Sequence, residues 1–333
     1  MQNTEAPPAS TRRGNWFNDD RLTTLSLVAV FAALCLFFAS RTPFFFTSAN
    51  LDTITSTLAI VGITAIGMTL VLITGGVDIS VGSVAALAGV VTSLLWLQGG
   101  VPLGISAMLG IGAGGLVGLI NGVIVTYLKI NPLITTLATF SIVRGLAFVL
   151  SEGQTNLLSN EAFNFIGRGK IAGIPFSLLL MIALFLIFAF ILRSTQLGRN
   201  LYAIGGSPQA SRLAGIPVSR HLLIVYLLSG LLAALSGIIN VSQLASSAPR
   251  AAVGLEFTVI TAVVLGGTSL SGGKGGLIGT LIGVIILRIL DNGLVLMQVS
   301  SFFQDVARGL VLILAVGFDQ IRLKLSQLRR RRV

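Results

Sequence analysis

The residues that could do chemistry in this chain are a few polar side chains set among long apolar stretches. Asp78 is the most isolated of the acids, and a carboxylate held in apolar surroundings is costly enough to be a functional candidate. It also directly precedes an apolar run, with Ser80 following, so it is equally placed to cap the start of a helix. We prefer the cap and keep a solute-contacting role for Asp78 and Ser80 as the alternative. Arg144 has no obvious local partner and is expected to reach interior carbonyls or Asp78, or to line a polar pathway.

A second group consists of neutral hydrogen-bonding residues that precede Arg144. Its members are Asn121, Asn131, Thr135, Thr136, Thr139 and Ser141. Such groups suit a neutral, hydroxyl-rich molecule such as a sugar, although hydrogen bonding between helices is the commoner use of any single one. Asn121, Asn131 and Thr135 are therefore candidates for contacts with a small polar solute.

Covalent and metal chemistry is not predicted. His221 is the only histidine, which rules out histidine metal clusters and histidine-based triads on this chain. Lys274 follows glycines, but the phosphate-loop pattern fails because Thr268 and Gly275 occupy two of its fixed positions. We predict no catalytic residue, metal or cofactor, so that energy for any work must come from an ATPase partner or an ion gradient.

Composition indicates the class of protein that holds these residues. Hydrophobic residues make up 54% of the 333 residues and charged residues only 10%, against about 25% in a soluble domain. This balance predicts an all-α, polytopic membrane protein in contact with lipid. The net charge of +11 does not indicate nucleic acid binding, because the basic residues flank apolar spans.

Ten apolar spans are predicted from the length a helix needs to cross the hydrocarbon core. They are 22–40, 54–74, 79–97, 103–127, 133–150, 176–193, 220–241, 256–268, 274–291 and 301–318. The span 256–268 is too short to cross alone and is predicted to be a half-helix or part of a re-entrant pair. Residues 22–318 then form the membrane domain, between a tail at 1–21 and a basic tail at 319–333.

Charge sets the expected orientation. With both termini in the cytoplasm, fifteen of the 22 lysines and arginines fall on the cytoplasmic side and four, Arg41, Arg168, Lys170 and Arg250, fall outside. This asymmetry follows the positive-inside rule. The acids noted near the spans are Asp78, Asp291 and Asp305, few for a protein driven by an ion gradient.

Two glycine pairs interrupt the apolar runs, one within 74–83 and the other within 265–276. They fall in corresponding halves of the chain, which suggests an internal repeat. Glycine-broken helices point to a translocation pathway, because unwound backbone is tolerated in a membrane only there. The alternative is that both are short turns at the water interface.

A basic loop, residues 194–219, separates the sixth and seventh spans. Together with the flanking Arg193 and Arg220 it carries four arginines and no acid. Residues 199–213 are long enough for a short helix against the membrane face. Such a helix offers a surface to a cytoplasmic partner rather than a catalytic site.

Four segments together resemble the membrane permease of the ribose/xylose-type ABC sugar importers, over about residues 50–317. They are GMTLVLITGGVDISVGS (67–83), NPLITTLATFSIVRGL (131–146), LGRNLYAIGGSPQASRLAGI (197–216) and TAVVLGGTSLSGGKGGLIGT (261–280). The resemblance implies a ten-helix subunit of a bacterial inner membrane, working with a second permease subunit, identical or not. It also implies a cytoplasmic ABC ATPase, which binds the ATP, and an extracytoplasmic sugar-binding protein.

The same resemblance implies a coupling helix that transmits force from the ATPase. The residues it assigns to that helix and its flanks are Gly198, Arg199, Asn200, Gly205, Gly206, Ser207, Ala210, Arg212, Leu213, Ala214 and Gly215. The transported sugar does not follow from these motifs. The competing hypotheses are a secondary transporter driven by an ion gradient and a passive channel.

Overall fold

The computed structural model describes the backbone of residues 16–331 and the side chains of residue 25 and residues 27–317. Residues 1–15 and 332–333, which belong to the two predicted tails, lie outside the described residues. Helix already begins at Trp16, and the last helix continues to Arg331. The tails predicted at 1–21 and 319–333 are thus helical wherever their backbone is described.

The described part of the chain contains thirteen α-helices. Their bounds are α1 Trp16–Arg41, α2 Ser48–Ile73, α3 Val81–Leu97, α4 Leu103–Thr126, α5 Pro132–Leu150, α6 Glu161–Arg168, α7 Phe176–Ser194, α8 Gln196–Gly206, α9 Pro208–Leu213, α10 Val218–Leu244, α11 Leu255–Leu265, α12 Leu277–Leu296 and α13 Ser301–Arg331. Each of the ten predicted spans lies on one of these helices, while α6, α8 and α9 lie between spans.

Six of the described helices are by themselves long and apolar enough to cross a membrane: α2, α4, α5, α7, α10 and α12. The apolar helices α3 and α11 are shorter, with 17 and 11 residues. The fold is therefore an all-α, polytopic membrane protein, as predicted, and α3 and α11 need other segments to complete their crossings.

Helix α2 forms the centre of the bundle, and Leu58 to Ile73 are almost entirely buried. Close packing around it depends on small residues. A Cβ atom at Gly118 of α4 would overlap the carbonyl oxygen of Tyr226 on α10, and one at Gly237 of α10 would overlap the Ala85 carbonyl of α3. Glycine at these positions lets the helix backbones approach each other closely.

Only short strands occur in the described chain, and they form two pairs in the loops between the helices. Strand β1 (Asn156–Leu157) pairs antiparallel with β4 (Ser246–Ser247), while β2 (Lys170–Ile171) pairs with β3 (Ile174–Pro175). The first pair ties the long loop after α5 to the loop after α10.

Candidate functional site

The two glycine breaks lie against each other. The first occupies residues 74–80, between α2 and α3, and the second occupies 266–276, between α11 and α12. Gly75 and Gly273 adopt positive φ angles of 82° and 73°, which glycine tolerates without steric cost. The backbone N–H of Gly273 donates to the carbonyl oxygen of Ile73 at 2.8 Å. The two breaks thus form one backbone-to-backbone contact.

Helix α8 packs onto this contact. A Cβ atom at Gly205 would overlap the Ile73 carbonyl oxygen and the Gly273 nitrogen. The hydroxyl of Tyr202 donates to the carbonyl oxygen of Gly275 at 2.9 Å. Burial raises the pKa of the Tyr202 phenol, which keeps this donor protonated. The end of α8 therefore touches both breaks at once, without flexible side chains between them.

Helix α9 forms the exposed part of the same loop. Residues 199–213, which are long enough for a short helix, belong to two helices that meet at Ser207. The Ser207 hydroxyl oxygen accepts from the Ala210 N–H at 3.2 Å, and Pro208 occupies the first turn of α9. A proline there has no N–H to continue the preceding helix, so it starts a new one. Leu213, at the end of α9, is 91% exposed.

The residues predicted for coupling divide into two sets. Gly198 and Asn200 are buried and Gly205 is half-buried, and the Asn200 amide lies 2.9 Å from His221 Nε2 on α10. Ser207 is half-buried at the junction. The exposed set consists of Arg199, Gly206, Ala210, Arg212, Leu213, Ala214 and Gly215. The first set holds the loop to the bundle, and the second offers a polar and basic surface with one apolar tip.

Asp78 lies in the first break, with 1% of its surface exposed. Its Oδ1 accepts from the backbone N–H of Ser80 at 3.0 Å and from the Ser80 hydroxyl at 2.6 Å. Its Oδ2 accepts from the Ser229 hydroxyl of α10 at 2.7 Å. The residue at the N-cap of α3 is Ser80, and no side chain makes a capping bond there, so the preferred hypothesis that Asp78 caps α3 is wrong. Asp78 instead organises the turn before the helix and ties that turn to α10.

Two other predicted residues extend this network. The Asn121 amide of α4 donates to the Ser80 hydroxyl at 3.0 Å, and the Thr139 hydroxyl of α5 donates to Asn121 Oδ1 at 2.6 Å. Thr139 also donates to the carbonyl of Thr135 at 2.9 Å. Asn131 lies apart, where its side chain caps α5 by accepting from the Leu133 N–H at 2.9 Å. Three of the candidates, Asp78, Ser80 and Asn121, therefore form one buried chain of hydrogen bonds.

Arg144 of α5 reaches interior carbonyls, one of its three predicted contacts, and does not reach Asp78. Its Nη1 donates to the carbonyl oxygens of Pro249 and Ala251, at 2.7 and 2.8 Å. Both carbonyls belong to the non-helical segment 245–254, which connects α10 to α11. Arg144 thus holds irregular backbone in place inside the bundle.

The segment 245–254 completes the crossing that α11 is too short to make. Near its start, Ser247 donates to the Ser93 hydroxyl of α3 at 2.8 Å. Near its end, the Ala252 carbonyl lies beside Gly82, where a Cβ atom would come within 2.8 Å of it. Ser93 and Gly82 are about 16 Å apart along α3, at 1.5 Å per residue. The span predicted at 256–268 is accordingly a half-helix that begins inside the bundle.

Sequence reasoning missed Glu256, in the first turn of α11. The sequence analysis noted Asp78, Asp291 and Asp305 as the acids near the spans and did not include Glu256, although Glu256 is the first residue of a predicted span. Glu256 is 2% exposed, and its Oε1 accepts from the Gly254 N–H at 3.2 Å. An acid that opens a span too short to cross was the signal that could have revealed it.

These features define a multi-pass membrane permease. They are a bundle of apolar helices, the non-helical segments 74–80 and 245–254 inside it, and a loop helix on one face. The chain belongs to the family described as branched-chain amino acid transport system / permease component, whose model matches residues 50–316. It is 40% identical to the L-arabinose ABC transporter permease protein of Azospirillum brasilense over 316 residues, 95% of this chain and 92% of the relative.

Other relatives are named for a second sugar. The chain is 42% identical to the ribose import permease protein of Escherichia coli (strain K12) over 299 residues, 88% of this chain and 92% of the relative. The ribose import permease protein of Bacillus subtilis (strain 168) is 42% identical over 280 residues, 84% and 87% of the two chains. These similarities confirm the resemblance to sugar-importer permeases and make this chain a transport subunit.

Proposed function

We propose that this chain is the membrane subunit of a bacterial inner-membrane ABC importer for a sugar or a related small polar solute. In this proposal a second permease subunit completes the pathway, a cytoplasmic ABC ATPase binds and hydrolyses ATP, and an extracytoplasmic binding protein delivers the solute. Both termini and the loop that carries α8 and α9 lie in the cytoplasm, as the distribution of basic residues favours.

One observation carries the proposal: an exposed loop helix is connected by backbone contacts to both breaks of the bundle. Helix α9 presents Leu213 and Arg212 to solvent, while Gly205 of α8 abuts Ile73 and Gly273. A partner that moves α9 must move the breaks with it, because closely packed backbone transmits displacement. This arrangement suits a permease driven by a separate ATPase.

The polar network around Asp78 has a supporting role in this proposal. Its carboxylate joins the first break to α10, and Asn121 continues the network to α4 and α5. Movement of the first break therefore reaches three other helices. In the alternative, a secondary transporter, one of the acids Asp78, Asp291 and Asp305 would bind the ion. Both oxygens of Asp78 are already occupied by protein donors, and Asp291 and Asp305 form ion pairs with arginines.

Reconstitution tests the proposal. The chain is purified with the proteins that bind it and placed in vesicles with its ATPase and binding protein, and uptake of labelled ribose and L-arabinose is followed. ATP-dependent uptake that survives dissipation of the ion gradient supports the importer. Uptake that needs the gradient and not the ATPase would contradict it, as would flux without nucleotide.

Orientation has its own test. Ser207 is replaced by cysteine in a Cys35→Ser background, since Cys35 is the only cysteine of the chain. A membrane-impermeant thiol reagent should label position 207 only from the cytoplasmic side. Labelling from outside intact cells would refute the proposed orientation.

A further inference from the structure

We propose that the junction between the first turns of α3 and α11 binds hydroxyl groups of the transported solute, with Glu256 as acceptor and Arg144 as donor. This inference rests on the proposed function, since it assigns the place where the permease itself holds a polar cargo.

The carboxylate of Glu256 supplies the first argument. Its side chain is 2% exposed, and Oε2 has no hydrogen-bond partner among the residues that the structure describes. Oε2 lies directly beside Gly82, so that a Cβ atom there would overlap it. A buried, unpaired carboxylate oxygen is costly in any protein. Its persistence in an ordered turn indicates an acceptor kept for a group that binds there.

The two helix starts supply an environment that suits this acceptor. Glu256 lies in the first turn of α11, and Gly82 lies in the first turn of α3. The first turns of helices carry unpaired N–H groups and the positive end of the helix dipole, which favour a negative side chain. Half-helices that start inside a membrane protein commonly border solute sites. The helix starts thus make the carboxylate tolerable, while its unpaired Oε2 is what points to a ligand.

The donors come from Arg144. Its Nη1 holds the carbonyls of segment 245–254, but Nε and Nη2 are buried without partners in the described structure. Among the described residues, no ion pair within 4.0 Å joins it to Glu256. Free donors and a free acceptor therefore lie apart in one region. A hydroxyl group both donates and accepts, and a sugar carries several, so it can satisfy both side chains.

A third group is placed beside them. Asn240 of α10 has a buried Oδ1 without a partner in the described chain. It lines a cavity of about 10 Å³ together with Ala251 and Ala252 of the same segment. That volume suits a single water molecule and not a sugar. Solute binding therefore requires segment 245–254 to move away from α3, and a hydration site without solute becomes the competing outcome.

The test compares the wild type with Glu256→Gln, which keeps the shape of the side chain and removes its charge. The matched control is Glu161→Gln, an exposed acid in α6. Each is reconstituted with the ATPase and binding protein, and ATP-driven uptake is measured for ribose, L-arabinose and the set of their monodeoxy analogues. The same binding protein serves every variant, so its own preference among the sugars does not affect the comparison between variants.

If Glu256 binds a hydroxyl group, removing that hydroxyl from the sugar should slow wild-type uptake by roughly tenfold or more. Glu256→Gln should slow uptake of the parent sugar by a similar factor and should abolish the difference between the sugar and that analogue. Every property of Glu161→Gln should match the wild type. Equal effects of Glu256→Gln on all sugars, or no effect, would overturn the inference and leave water as the occupant.

If Glu256→Gln fails to assemble, thiol labelling of segment 245–254 tests the proposed solute site instead. Ala251→Cys in the Cys35→Ser background places a thiol on the moving segment. Ribose or L-arabinose should slow its labelling during ATP turnover, and labelling unaffected by either sugar would overturn the inference. Wild-type protein whose solute uptake needs neither ATP nor the ATPase would instead refute the proposed function, so the two failures are distinguishable.

Discussion

Substituting Gly205 with alanine gives the sharpest test of the contact between α8 and the two breaks. The added methyl group would overlap the carbonyl oxygen of Ile73 and the nitrogen of Gly273. Overpacking costs about 1–3 kcal/mol. Loss of the buried Gly273–Ile73 hydrogen bond leaves both groups unpaired, at about 1–3 kcal/mol more. Gly205→Ala should therefore cost about 2–6 kcal/mol, as lost stability or as displacement of α8.

The neighbouring glycine supplies the control. A Cβ atom at Gly206 would have no atom within 4 Å, and an alanine there gains up to about 1 kcal/mol of helix propensity. Two adjacent glycines with the same substitution thus differ only in what the methyl group meets. Gly206→Ala should match the wild type in thermal stability, ATPase binding and uptake.

The assay combines thermal unfolding in detergent, co-purification of the ATPase, and ATP-driven uptake in vesicles. Gly205→Ala should lower the apparent Tm by several degrees and slow uptake at least tenfold. It should retain the ATPase, because the exposed surface of α9 is unchanged. If the two variants behave alike, the contact between α8 and the breaks has no mechanical role, and the reasoning fails.

Three further predictions concern single side chains. Leu213→Ala should weaken ATPase co-purification by roughly tenfold or more, because burying a leucine against a partner contributes about 1.5–3 kcal/mol. The Tm should not change, since Leu213 is 91% exposed in this structure. Unchanged co-purification would show that the ATPase docks elsewhere. Tyr202→Phe should cost about 0.5–1.5 kcal/mol through the lost bond to Gly275. Because burial raises the Tyr202 pKa, the contribution of this tyrosine to stability is complete below about pH 10 and is lost as the pH rises further. The Tm of Tyr202→Phe should therefore fall less steeply above that pH than the Tm of the wild type. An equal fall of Tm with pH in both proteins would contradict this. Asp78→Asn should keep most of the wild-type Tm and uptake, while Asp78→Ala should lower the Tm strongly by leaving three buried donors unpaired; loss of uptake in a stable Asp78→Asn variant would show that the charge serves transport.

Hydropathy alone identified the six described helices that are long and apolar enough to cross a membrane, because a span of that length needs no tertiary information to be recognised. The helix ends differ from the predicted span ends where capping and polar residues determine them. Helix α2, capped by Thr47, begins at Ser48, six residues before the predicted start at residue 54. Polar residues such as Asp52 and Thr53 still fit the helix near the water interface. Ser207 and Pro208 divide the loop 194–219 into two helices, and its role in coupling stays a prediction.

The candidate site was harder to predict, because its contacts join residues far apart in the chain. In the sequence, Gly205 and Gly206 look like an equivalent pair. In the structure, a Cβ atom would overlap the backbone of other segments at Gly205 and would meet nothing within 4 Å at Gly206. Arg144 was expected to reach carbonyls, but nothing in the sequence indicates that they belong to segment 245–254. Glu256 was missed because helix starts commonly carry acids for capping, so its type and place look ordinary until Oε2 is found buried.

The position of the two irregular segments connects the proposed coupling surface on α9 with the proposed solute site at Glu256. Segment 74–80 enters the bundle from the side of α8, and segment 245–254 enters from the opposite side. They approach each other at the start of α3, where Asp78 fixes one side of the turn and Gly82 meets Glu256 on the other. A shift of α8 displaces the first segment through Ile73, and α3 follows because its first turn is bonded to Asp78. In the proposed mechanism, this movement changes the distance between Gly82 and Glu256. In the same proposed mechanism, coupling and solute binding depend on different residues of one connected unit. Gly205→Ala should therefore impair uptake of all sugars equally, while Glu256→Gln should alter the choice among them.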